Sequence, residues 1–226
     1  MDEFVTEHAP PRVVIACRVM AAEMEAAAQG LDVELVYLDQ GLHRTPDKMP
    51  DLIQAQIVAA GDRTAALGYG LCSMGLAGVK AGPGGLIVPR AHDCMALFMG
   101  SPALYSRRHA ARPGTYYLTT GWIREGKDPL TIMREEYAAR LDGDIAEWAM
   151  REEIKHYTHF SFLNTGVGDT GAVKQRTREN AEFFGKQFEE TAGSLDYFRR
   201  LLTGPYPDSD FIILAPGQEV SQGMFF

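Results

Sequence analysis

Three cysteines, the chain's full complement, stand where thiol or metal chemistry is possible. Cys17 closes the run RVVIAC, Cys72 lies in GYGLC, and Cys94 lies in RAHDC beside His92 and Asp93. An odd number makes a poor disulfide framework, so each is core filler, a reactive thiol or a ligand. A free cysteine commonly behaves as a small buried hydrophobe, and Asp93 with Cys94 could simply open a helix. Three thiolates plus one more donor, however, make a set that zinc accepts readily. His92 is the nearest fourth donor, although only two residues separate it from Cys94. His43 in LDQGLH is the alternative, and Asp39 or Asp93 would orient an imidazole from just outside the ligands. The same thiols could instead hold an iron–sulfur cluster with one iron left open.

The elements that must position these residues follow from short apolar runs alternating with helical patterns. Residues 12–17, 33–39, 64–70 and 84–89 read as strands, separated by helical stretches at 19–29 and 46–60 and by the glycine-rich passage LCSMGLAGVKAGPGG, which has room for a short helix. Such alternation is the pattern of βαβ units and a parallel sheet. The second half continues with strands at 115–122, 159–166 and 210–217, a long helical stretch over 129–157 with a break near Gly143, and a helical segment over 172–193. The expected fold is α/β, a three-layer sandwich with a mostly parallel sheet of about six or seven strands. Residues 1–226 form one domain, 1–11 being a flexible N-terminal segment and Pro113-Gly114 a turn within the domain.

In open parallel sheets ligands bind beyond the carboxyl ends of the strands. All three cysteines fall at such ends, and this coincidence favours one shared site over three unrelated packing residues. The other strand ends supply polar groups. Arg90 could clamp a carboxylate, Thr119 and Asn164 could orient a substrate, and Trp122 could close a pocket. The glycines of GYGLCSMGLAG have the wrong spacing for a dinucleotide fingerprint, and no phosphate-binding G-x-x-x-x-G-K-[ST] occurs. A formal charge of −8 argues against nucleic acid as a partner. No apolar stretch reaches membrane-spanning length, and the polar, acidic N-terminus lacks signal-peptide character. A cytoplasmic protein is expected.

The segments IAC, LDQGLH, GYGLC, PRAHDCMALFMGS and PGTYYLTTGW together resemble the prokaryotic family catalogued as domain of unknown function 1638. The resemblance implies a setting in one-carbon metabolism, because members are often encoded near corrinoid-dependent methyltransferases. With zinc on Cys17, Cys72 and Cys94, the expected activity is methyl transfer to a metal-held thiol. A non-enzymatic accessory protein, serving a corrinoid methyltransferase or delivering metal, is the competing class. An iron–sulfur enzyme, with single cysteines from separate α/β segments as in quinolinate synthase, is another. A two-cysteine acid–base pair, as in proteins resembling glutamate racemase, would leave one cysteine unused. The apolar ending GMFF is consistent with a docked tail or a contact in a homo-oligomer.

Overall fold

The computed structural model describes residues 5–6, 9–72 and 75–225. A two-residue strand β1 (Val5–Thr6) precedes β2 (Val13–Cys17), a 3₁₀ turn over 18–20 and α1 (Ala21–Ala27). β3 (Glu34–Leu38), 3₁₀ turns over 40–44 and 46–48, α2 (Met49–Ala60), β4 (Ala65–Gly68) and β5 (Leu86–Pro89) follow. Then come α3 (Met95–Phe98), α4 (Pro102–Ala111), β6 (Thr115–Leu118), a π-helical turn over 122–126 and α5 (Pro129–Ile132). A second π-helical turn over 133–137 leads to α6 (Gly143–Glu153), β7 (His159–Asn164), α7 (Thr170–Phe184) and β8 (Gln187–Ala192). α8 (Asp196–Thr203), β9 (Tyr206–Pro207) and β10 (Phe211–Leu214) close the chain, with a 3₁₀ turn over 222–225. No helix among the described residues is long and apolar enough to cross a membrane.

The fold is α/β, but the strands divide between two main sheets rather than joining one of six or seven. The first has the order β10-β5-β4-β2-β3, parallel except for β10, which runs antiparallel to β5. The second has the order β6-β7-β8 and is wholly parallel. A short antiparallel ribbon joins β1 to β9. Apolar runs report that a strand is buried on both faces; they do not report which strand is its neighbour. The division falls near Pro113-Gly114, after which the chain builds the whole second sheet before β10 returns to the first.

Residue choice explains the central strands. All five residues of β2 are buried, as a strand covered on both faces requires. β4 is AALG, and a Cβ on Gly68 would stand 2.5 Å from that of Ala16 and 3.1 Å from the Met24 methyl. The small residues there let β2 and α1 approach. β3 lies at the sheet edge and is only half buried.

Two helical expectations are corrected. The stretch 172–193 is not one helix: α7 is capped by Asp169, ends at Gly185 in the left-handed conformation (φ 65°), and QFEETA turns back as β8. Its glutamates made the segment look helical, yet they serve an edge strand. Glu189 pairs with Arg112, and Glu190 pairs with Lys174 at 2.6 Å. Charged side chains of this kind also discourage edge-to-edge aggregation. In the stretch 129–157 the expected break near Gly143 is present, over 138–142, but the part before it is α5 followed by a π-helical turn rather than one regular helix, and α6 ends at Glu153. The glycine-rich passage forms turns over 75–78. Residues 1–4, 7 and 8 of the expected N-terminal segment, and Phe226 of GMFF, lie outside the described residues; Phe225 is buried.

Candidate functional site

The four parallel strands of the first sheet deliver their following loops to one edge, and chemistry-bearing side chains collect there. β2 ends in Cys17. The turn after β3 starts at Asp39, whose Oδ1 accepts from the Gly41 N–H at 2.7 Å, and it carries His43. The loop after β4 holds Tyr69 and Cys72, and that after β5 holds His92, Asp93 and Cys94.

The last two loops are stitched together by their backbones. Leu71 N–H donates to the Ala91 carbonyl at 2.8 Å, and Cys72 N–H donates to the His92 carbonyl at 3.3 Å. Gly70 makes the approach possible, since a Cβ there would stand 2.8 Å from the Asp93 carbonyl carbon and 3.0 Å from the Cys94 nitrogen. Cys72 is a non-glycine residue held at φ 45°, a conformation that costs energy and is found disproportionately at functional sites.

This folding brings the three thiols into one neighbourhood. Cys94 is buried and hydrogen-bonded to Cys72; that bond and burial raise its thiol well above the ordinary value. Cys17 Sγ lies 3.6 Å from His43 Nε2. Burial pushes the Cys17 thiol up to about 12, although a hydrogen bond with the Val19 backbone pulls the other way. Burial likewise lowers the His43 imidazole, with Asp93 opposing, so the neutral ring is favoured. Tyr69 is buried among the three cysteines, and among the described residues its hydroxyl has no hydrogen-bond partner. Without a cation the Cys17 and Cys94 thiols stay protonated near neutral pH. Among the described residues, no three His, Cys, Asp or Glu side chains stand ready to hold a metal ion as a group.

A cavity of about 360 Å³ opens over the thiols. His43, Cys72, Cys94, Asp93 and His92 lie on one side of its lining. Asp93 Oδ1 accepts from Met95 N–H at 2.8 Å and Oδ2 from the Tyr105 hydroxyl at 3.3 Å. Trp122 and aromatic side chains around β6 complete the lining. The indole N–H of Trp122 lies near the Tyr116 hydroxyl without closing a well-formed hydrogen bond.

The two sheets meet here through their carboxyl ends. After β6, Gly121 packs so closely on the turn after β2 that an added Cβ would come within 1.8 Å of the Val19 carbonyl oxygen. After β7, the Thr165 hydroxyl donates to Glu23 on α1 at 2.8 Å. After β8, Ser194 N–H donates to the Phe98 carbonyl at the end of α3 at 2.9 Å.

The expected site residues thus separate into groups. Cys72, Cys94, His43, His92, Asp93 and Trp122 line one cavity, and Cys17 stands behind the lining against His43. His92 is exposed; His43 is the imidazole in contact with Cys17. Arg90 turns elsewhere: its guanidinium donates to the carbonyls of Asp208 (2.6 Å) and Met224. Thr119 is fully buried and accepts from the Trp122 N–H at 3.1 Å. Asn164 donates to Glu190 and accepts from the Gly166 N–H, each at 2.9 Å. Neither is part of the cavity lining. A larger concavity of about 700 Å³ beside β10 includes Arg90 but no cysteine or histidine. Tyr69 follows β4 by the same rule that singles out Cys72, but nothing in its local sequence marks it as buried against the thiols.

The fold and site define an α/β protein with a thiol-floored cleft between two parallel sheet edges. Residues 37–202 match the family described as "Protein of unknown function (DUF1638)", and the chain belongs to that family. The match contains Cys72, Cys94 and His43, whereas Cys17 precedes it. No curated protein and no solved structure matches the chain.

Proposed function

We propose that the protein holds zinc through Cys17, Cys72 and Cys94 and acts on a small substrate of one-carbon metabolism, transferring a methyl group to a metal-held thiol. The observation that carries this reading is the convergence of three thiols from three adjacent strand ends beneath one cavity. The raised Cys17 and Cys94 thiols are poor nucleophiles as they stand, and a cation would reverse that, because a coordinated thiol loses its proton. The 3.6 Å approach of His43 to Cys17 favours His43 over His92 as a fourth donor. Cys17, Cys72 and Cys94, with His43, would hold the metal in place of their present contacts with one another.

Zinc, when bound, keeps an incoming thiol ionised at neutral pH. The residues lining the cavity would bind that thiol and its methyl donor. The sulfur then forms a bond to the methyl carbon as the carbon's bond to the leaving group breaks, and the leaving group departs with the electron pair. The unpartnered Tyr69 hydroxyl would gain a sulfur acceptor when a neighbouring thiol ionises. A cavity sized for a small molecule favours turnover over simple metal delivery. A corrinoid protein as a partner fits the same setting in one-carbon metabolism.

Elemental analysis of protein purified without oxygen, beside a Cys94→Ser variant, tests the proposal. The expected result is about one zinc per chain, lost in the folded variant. Iron with sulfide would replace zinc by a cluster on the same cysteines. Zinc retained undiminished in the variant, or no metal in either sample, would overturn the site.

A further inference from the structure

The walls of the cavity carry chemistry that its thiol floor does not explain. They are built by Tyr105 from α4, Tyr116 and Tyr117 from β6, Trp122 from the π-helical turn and Tyr157 ahead of β7. Among the described residues no lysine or arginine belongs to the lining, its one carboxylate is Asp93, and its imidazoles are His43, His92 and His109. That carboxylate is fixed by the Met95 N–H and the Tyr105 hydroxyl. Arg108, near the Tyr117 hydroxyl, donates to the Thr191 hydroxyl at 3.1 Å and is paired with Glu189 at 3.9 Å.

Aromatic faces present negative charge, and a carboxylate adds to it. A cavity with both, and with no lysine or arginine among its described lining residues, attracts positive charge and repels anions when its imidazoles are neutral. A compact ammonium such as a lysine head would surrender strong hydration on entering. An onium ion whose charge is clothed in methyl groups surrenders little and gains dispersion against the rings. We propose that the cavity binds a small alkylated onium cation, a quaternary ammonium or a sulfonium, against Trp122 and the four tyrosines. The inference rests on the proposed function in treating this cavity as the substrate site. It names the methyl donor's class: a cationic donor leaves as a neutral molecule when the sulfur takes its methyl group. Zinc on three thiolates would carry net negative charge and strengthen the same preference.

Titration calorimetry on the full chain, metal-loaded and metal-stripped, tests this with choline and its neutral carbon isostere 3,3-dimethylbutan-1-ol. The expected result is choline binding about 10-fold more tightly than the alcohol. Asp93→Asn, which keeps the side chain's shape, should reduce that ratio, and Trp122→Leu should reduce choline affinity about 5-fold or more. Circular dichroism confirms that each variant is folded. Equal affinity for the two compounds, or no binding of choline in either metal state, would overturn the onium site. A choline preference in protein that takes up no zinc would overturn the zinc reading alone. Zinc-loaded protein indifferent to charge would overturn the onium site alone.

Discussion

Glu23 is fully buried on α1, with Oε1 held by Thr165 at 2.8 Å and Oε2 lacking a partner. Burial raises its carboxyl above the ordinary 4.5, against the smaller pull of the Thr165 hydrogen bond and Arg124. The native protein therefore keeps a proton that the unfolded chain releases. Glu23's contribution to stability is fully present below about pH 4.5 and is lost as pH rises through the elevated native value. Glu23→Gln retains an oxygen for Thr165 and removes the ionisation. The variant should be more stable than the parent by about 1 kcal/mol at pH 7.5 and equal to it near pH 4. Urea titrations at the two pH values check this, and parallel curves would show that Glu23 does not titrate differently on folding. Neither the burial nor the missing partner is visible in AAEMEAA, where Glu23 reads as one of two solvated helix charges.

At the scale of elements, the second sheet depends on a polar knot between α5 and α7. Asp128, 1% exposed, caps α5 through the Thr131 N–H and receives Arg176 Nε at 3.0 Å and Asn180 Nδ2 at 2.7 Å. Burial would raise its carboxyl, but the hydrogen bonds from Thr131, Arg176 and Asn180 outweigh it and hold it below the ordinary value. Asp128→Ala leaves the half-buried guanidinium of Arg176 and the buried amide of Asn180 short of an acceptor. The loss should be about 3 kcal/mol at pH 7 by chemical denaturation. It should shrink as acid protonates Asp128 in the parent. A loss under about 0.5 kcal/mol would place the knot among ordinary surface ion pairs. Helix α7 was legible from its polar periodicity, and β2 from an unbroken apolar run. β8 was not legible, because its glutamates find partners on α4 and α7, outside any local window.

At the scale of the molecule, the site exists because two parallel sheets turn their carboxyl edges toward each other. Trp122 packs against both hydrophobic cores, and Gly121 leaves no room for a Cβ against the Val19 carbonyl. Gly121→Ala would drive a methyl group into the Val19 carbonyl and separate the edges. The expected loss is about 2–4 kcal/mol, read as a fall in Tm, with choline binding weakened and far-UV circular dichroism retained. Unchanged Tm and binding would mean that the seam yields without cost.

The amino-acid sequence by itself determined the α/β class, the first four parallel strands within a residue or two, and the placing of all three cysteines at strand ends. Each of these is local: apolar runs, glycine punctuation and the rule that loops follow strands. Only the tertiary structure decided that the strands form two sheets, that His43 rather than His92 meets Cys17, and that Arg90 faces the chain's C-terminal segment. Strand pairing and side-chain direction depend on contacts between residues far apart in the chain, such as Val19 with Gly121 or Arg90 with Met224. The free energy of such contacts resides in the packed interface, and no window of sequence contains both of its halves.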